Sequence, residues 1–126
     1  MPTPATVLIV DDERRITEAL HEILESQGYR VLSTINPDHA PALLAQGPID
    51  LLLTDVMMPQ MPGLKVAALV QERWPGCRVI FMSGYTSEDL STRGIPANAM
   101  VINKPLSIPA LIEAVRTALE PPTVQA

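Results

Sequence analysis

Five short apolar runs recur along the chain, each closed by polar or charged residues. "TVLIV" (6–10) and "LLLT" (51–54) are continuous and run straight into acids. "CRVIFMS" (77–83) and "AMVIN" (99–103) are two more, and "YRVLSTI" (29–35) is a fifth, rich in β-branched residues. Strands buried on both faces read this way, because helices cover both sides of a parallel sheet. Between the runs the period changes. Ile16, Ala19, Leu20, Ile23 and Leu24 follow i, i+3, i+4, i+7, i+8 spacing, a stripe on one helix face, and Gly28 supplies a stop. Leu64, Ala67, Ala68, Val70 and Trp74 mark another helix, halted at "WPG" (74–76). Ile108, Leu111, Ile112, Val115 and Leu119 form the last stripe, with Ser107 as its N-cap. A further helix opens near Asn36–Pro37, a cap followed by a first-turn proline. Pro41 lacks the backbone donor that a helix interior needs, which moves the expected start downstream of Asn36.

Strand and helix therefore alternate, which predicts a doubly wound α/β fold with a five-stranded parallel sheet. Residues 86–98, "TSEDLSTRGIPAN", break the rhythm. Gly94, Pro96 and Asn98 discourage a long helix, so the fourth helix is expected to be short or irregular. The ends "MPTPA" and "PPTVQA" read as loose termini. The expected organisation is a single domain over residues 1–126, with a core of about 5–120 and loose termini at 1–4 and 121–126.

Composition narrows the possibilities. With 47% apolar residues, 126 residues can bury one core. The net charge is −5, from 9 basic and 14 acidic residues, which argues against direct nucleic-acid binding through a basic face. The four aromatics, Tyr29, Trp74, Phe81 and Tyr85, are too few for a base-stacking platform. Cys77 is the one cysteine, so no internal disulfide or thiolate metal site can form, and a reducing, cytoplasmic setting fits. No apolar stretch approaches the roughly 18 residues of a membrane span, so no membrane insertion is expected, and "MPTPAT" lacks the apolar run of a secretory signal. His21 and His39 read as surface residues on helices, without a metal role. Cys77 reads as an inert strand-edge residue.

Chemistry gathers at the strand ends. In open α/β sheets ligands bind beyond the carboxyl ends of the strands, where strand order reverses. The first strand ends at Asp11 and Asp12, the third at Asp55, the fourth at Ser83 and the fifth at Lys104. If the sheet is parallel, three carboxylates, one hydroxyl and one ammonium share a rim. Such carboxylates repel one another unless a cation intervenes. Oxygen ligands suit a hard cation such as Mg2+, which takes one or two protein carboxylates and keeps waters or phosphate oxygens. A carboxylate flanked by metal, hydroxyl and ammonium is placed to attack phosphorus. Taken alone, Asp11–Asp12 would read as a solvated strand end and Lys104 as a surface lysine.

Four motifs in order, "VLIVDDE" (7–13), "DLLLTDVMMPQMPG" (50–63), "FMSGY" (81–85) and "NKPL" (103–106), resemble the receiver domain of two-component response regulators. The likeness spans about residues 5–120 and implies a flavodoxin-like, CheY-like sheet. It also implies that Asp55 is the phosphoacceptor, supplied by a histidine kinase or a histidine phosphotransfer protein. Asp12, Asp55 and the backbone carbonyl of Met57 would bind Mg2+ directly, with Asp11 assisting. Ser83 and Lys104 would contact the phosphoryl group, and Lys104–Pro105 would be cis. Pro59, Pro62 and Gly63 would shape the loop after Asp55. An unknown downstream protein would read the state, and dimerisation stays open.

Two positions depart from the family's pattern. Val101, three residues before Lys104, stands where many receivers carry a switching aromatic, and valine has no ring to swing. Tyr85 follows Ser83 by two residues, and "FMSGY" with a weak following helix resembles receivers appended to sensor histidine kinases and some stand-alone ones. Tyr85 and residues 86–98 are the expected moving parts. Met57 and Tyr85 also flank the route of an attacking water. Three rivals remain. A phosphoaspartyl-type phosphatase or hydrolase would carry a second carboxylate two residues after its nucleophile, where Met57 stands. A nucleotide or flavin binder would not place "DDERR" after its first strand. A receiver that binds partners without phosphorylation would not need the full acid set.

Overall fold

In this computed structural model, residues 3–84 and 87–120 are described. The elements follow the order β1 (Thr6–Val10), α1 (Arg14–Ser26), β2 (Arg30–Thr34), α2 (Ala40–Leu44), β3 (Leu51–Asp55), α3 (Gly63–Arg73), β4 (Arg78–Ser83), α4 (Ser87–Thr92), β5 (Met100–Asn103) and α5 (Ile108–Leu119). The strands form one parallel sheet in the order β2-β1-β3-β4-β5. Strand order reverses between β1 and β3, so a crevice opens beyond their carboxyl ends.

The continuous apolar runs have a direct cause. Side chains alternate faces along a strand, and both faces are covered. Val7 and Ile9 pack with Leu20, Leu24, Leu111 and Val115, under α1 and α5. Leu8 and Val10 pack with Leu44, Val66, Val70 and Leu90, under α2, α3 and α4. Five consecutive residues of β1 are thereby buried.

Helix ends follow the expected chemistry. Gly28 takes φ +95 just past α1, and its N–H and that of Tyr29 donate to the carbonyls of Glu25 and Leu24 at 3.0 and 3.3 Å. Ser107 caps α5 by accepting the Ala110 N–H. Asn36 caps a short 3-10 turn, Pro37–His39, and α2 begins only at Ala40, with Pro41 in its first turn where no donor is needed. The fourth helix has six residues, as Gly94, Pro96 and Asn98 implied.

The helix stripes are corrected in detail. Ala19, Leu64, Ala68 and Ile108 face outward. Thr17, Val66 and Ala118 take buried places in their helices instead. The true stripes are rotated slightly from the sequence reading. Met58 fills a gap in the core beside Val56 and Val66. His21 is half-buried against β2, with Nδ1 2.7 Å from the Ser33 hydroxyl, and His39 is exposed.

Gly63 opens α3 at a tight crossing. Its N–H donates to the Val56 carbonyl at 2.8 Å, and a Cβ there would collide with the Asp55 carbonyl and approach Thr54 Oγ1 to 3.2 Å. We therefore expect Gly63→Ala to destabilise the domain by ~1–3 kcal/mol, read as a lower urea midpoint at unchanged slope. Cys77 is 3% exposed, and burial followed by the charge of Asp50 pushes its thiol up to about 12. The native protein should resist a thiol-alkylating reagent at mildly alkaline pH, whereas the urea-unfolded chain should react at once. Fast native labelling would contradict this burial.

Candidate functional site

The parallel register carries four strand ends to one rim. Val10 pairs with Thr34 and Thr54, Asp55 with Met82, and Ser83 with Asn103. The residues that follow or close these rungs, Asp11, Asp12, Asp55, Ser83 and Lys104, therefore meet at the switch-point crevice. One carboxylate oxygen each from Asp11, Asp12 and Asp55 lies within 4.8 Å of the others.

Asp11 is wholly buried. Its Oδ1 accepts the Glu13 N–H at 2.9 Å, and its Oδ2 accepts from Lys104 Nζ at 3.0 Å. Its backbone carbonyl accepts from the Thr17 hydroxyl at 2.7 Å, which ties the first turn of α1 to the end of β1. Asp12 and Asp55 are half-buried. Asp55 Oδ2 lies 3.4 Å from Lys104 Nζ, and the Asp55 carboxylate also accepts the Met57 N–H. Lys104 reaches Glu13 Oε1 as well, at 3.3 Å. The Lys104 N–H donates to the Ser83 carbonyl at 2.8 Å, which holds this residue beside the end of β4; the Lys104–Pro105 bond is cis. Ser83 is buried at the end of β4.

The electrostatics follow from this crowding. Burial raises the Asp55 pKa above the usual carboxylate range, the Lys104 ammonium opposes that rise, and the Asp11 charge adds to it. Burial likewise raises Asp11, against the Glu13 N–H and Lys104, with the Glu13 charge adding to the rise. Burial works to lower Lys104, yet the Asp11 bond and the charges of Asp11 and Asp55 leave it raised and protonated. One cation thus faces an excess of acids. That donor set, all carboxylate oxygen with no imidazole or thiol in the cluster, fits a hard divalent cation.

All the acids and the lysine named from the sequence meet here, with Ser83 at the end of the neighbouring strand. Met57 sits on the rim, 39% exposed. Val101 is half-buried at the edge of the core, in register with Phe81. Tyr85 and Thr86 lie outside the described residues. The sequence reading missed Glu13, Thr17 and Arg93. Glu13 was visible as the third acid of "VLIVDDE". Arg93 Nη1 lies 2.9 Å from Met57 Sδ, a contact across 36 positions that no local pattern announces.

Comparison with known proteins agrees with this geometry. The family described as response regulator receiver domain matches residues 7–116. The hydrogenase transcriptional regulatory protein HoxA of Cupriavidus necator is 39% identical, over 92% of this chain and 24% of that protein. Sensor kinase CckA of Brucella abortus is 33% identical, over 92% of this chain and 13% of that protein. Response regulator receiver protein CpdR of Brucella abortus is 30% identical, over 90% of this chain and 95% of that protein. The chain thus spans a quarter or less of HoxA and CckA but nearly all of CpdR. Among solved structures, the receiver domain from the hybrid histidine kinase CckA superposes with a TM-score of 0.78 at 27% identity, covering 92% of this chain and 100% of that one. A CheY-like receiver from Methanospirillum hungatei gives 0.82 at 29% identity, covering 93% and 94%. With a family match across most of its length and an acidic crevice at the switch point, the chain belongs to the response regulator receiver domains, the phosphoacceptor switches of two-component systems.

Proposed function

We propose that Asp55 is the residue that takes the phosphoryl group, with Mg2+ held by Asp12, Asp55 and the Met57 carbonyl and with Asp11 beside them. The supporting observation is the convergence of the Asp11, Asp12 and Asp55 carboxylates within 4.8 Å, with Lys104 Nζ 3.4 Å from Asp55. Bound there, the ion would neutralise charge on the phosphoryl oxygens.

The chain's own residues do the rest. The Met57 N–H and Lys104 orient the Asp55 carboxylate, one oxygen of which would act as nucleophile. That oxygen bonds to phosphorus as the P–N bond to the donor's imidazole breaks. The imidazole leaves with the electron pair, and the acyl phosphate stays on Asp55. Lys104 then pairs with a phosphoryl oxygen, and the Ser83 hydroxyl donates to another. The chain catalyses only this self-modification and its reversal by hydrolysis. The residue two past Asp55 is Met57, which lacks the carboxylate a turnover phosphatase would use.

In this reading the donor is a histidine kinase or a histidine phosphotransfer protein in the cytoplasm, and an unidentified downstream protein reads the result. Residues 1–126 act as a single receiver domain with its core at about 5–120. Among the described residues no helix is long and apolar enough to cross a membrane. Incubation with acetyl phosphate and Mg2+ should add one phosphoryl mass to the wild type and none to Asp55→Asn. Chelating the metal should abolish the uptake, and a small phosphomonoester should not be turned over. Labelling of Asp55→Asn at the wild-type level would sink the assignment.

A further inference from the structure

Leu64 and Ala68, which spacing assigns to the apolar stripe of α3, lie exposed on that helix. Both line one side of a groove of about 600 Å³. The stretch that enters β5 forms the other side, where Met100 stands 37% exposed. Phe81, buried in β4, lies at its base. Four large apolar side chains are exposed among the described residues, and two of them, Leu64 and Met100, open on this one hollow. Its walls are fastened. Gln71 Nε2 on α3 donates to the Cys77 carbonyl at 3.0 Å, which ties the helix to the start of β4. The Ala99 N–H donates to the Pro96 carbonyl at 3.0 Å, which closes the opposite wall as a turn.

Small-molecule sites are preformed, mostly apolar hollows of about 300–1,000 Å³ with a few polar groups that orient the ligand. Arg78 supplies such a group. Among the described residues it is the one charged residue that lines the groove. It is exposed, and its guanidinium pairs with no described carboxylate. A neutral apolar ligand would leave that charge unused, and a cation would be repelled by it. A carboxylate would meet it as a planar fork, with two parallel charge-assisted hydrogen bonds. The chain carries a net charge of −5, so a surface that attracts anions is local to this guanidinium.

We propose that the groove between α3 and the entry to β5 binds a small amphipathic carboxylate. Its apolar part lies along Leu64, Ala68 and Met100, and its anionic end pairs with Arg78. The site stands apart from the acidic crevice, because Arg78 opens β4 whereas Ser83 closes it. Binding here draws on neither Asp55 nor the cation expected beside it.

Decanoate is the probe, titrated into the whole chain and followed by amide NMR, with decanol as its uncharged counterpart. Decanoate should shift the Ala68, Val79 and Ala99 amides saturably. Decanol should bind about tenfold more weakly, since it lacks the charge-assisted pair. Arg78→Gln should weaken decanoate by a similar factor and leave decanol unchanged. Ala68→Glu, at an exposed helix position that tolerates a charge, should abolish decanoate binding, and Asp55→Asn should bind as the wild type does. No saturable shift at those three amides, equal affinity for decanoate and decanol, or wild-type decanoate affinity in Arg78→Gln or Ala68→Glu would each overturn the proposal. So would loss of binding in Asp55→Asn, which would place the ligand in the crevice.

Discussion

The ammonium of Lys104 offsets part of the negative charge that the aspartates bring to the crevice. It touches Asp11 at 3.0 Å, Glu13 at 3.3 Å and Asp55 at 3.4 Å, and so joins β5 to β1 and β3. Asp11 is wholly buried, and an uncompensated buried charge typically costs ~3–5 kcal/mol when its partner is removed. The pairing is nonetheless incomplete by design of its stoichiometry: one positive charge cannot neutralise the surrounding acids. Part of the stability that a fully paired cluster would give is withheld. The site is left with an excess of negative charge that a divalent ion would offset.

The rest of the fold serves to hold that imbalance in place. Parallel pairing makes every strand end on the same rim, so residues 11, 55, 83 and 104 meet although 93 positions separate Asp11 from Lys104. The Thr17 hydroxyl on the Asp11 carbonyl fixes how α1 leaves β1. Gly63 brings the start of α3 against the Asp55 carbonyl more closely than any side chain would permit. These contacts limit how far Asp11 and Asp55 can drift apart. Burial raises the pKa of both groups, with the Asp11 charge adding to the rise at Asp55 and the Glu13 charge to that at Asp11.

Much of this was legible in the sequence, for identifiable reasons. A strand buried on both faces leaves an unbroken apolar run, so "TVLIV" marks β1 to the residue. The rule that ligands sit at carboxyl strand ends then places Asp11, Asp12, Asp55, Ser83 and Lys104 together without coordinates. Helix faces were harder. Ala19 and Ala68 fit a stripe by spacing, but alanine is small enough to be tolerated on either side. Leu64 and Ile108 lie in the first turns of their helices and are exposed there. Val66 was hidden between Lys65 and Ala67. Thr17 had no signal at all, because its hydroxyl bonds a backbone carbonyl that only the folded chain selects, and the contact of Arg93 with Met57 likewise joins distant positions.

The short fourth helix connects these observations. Among the described residues α4 buries Leu90 alone, whereas α1 buries three residues, α3 four and α5 three. An element with so little burial lies toward the low end of local stability. Shifting a two-state segment from 1:99 to 99:1 requires about 5.5 kcal/mol of differential interaction. Hydrogen bonds to charged groups contribute roughly 1.5–3 kcal/mol each, so two or three to a phosphoryl group are enough. Valine at position 101 offers no rotating ring, and a longer, better buried α4 would resist such a shift. The short α4 is thus the least buried of the helices that cover the sheet on the side of β3 and β4 among the described residues.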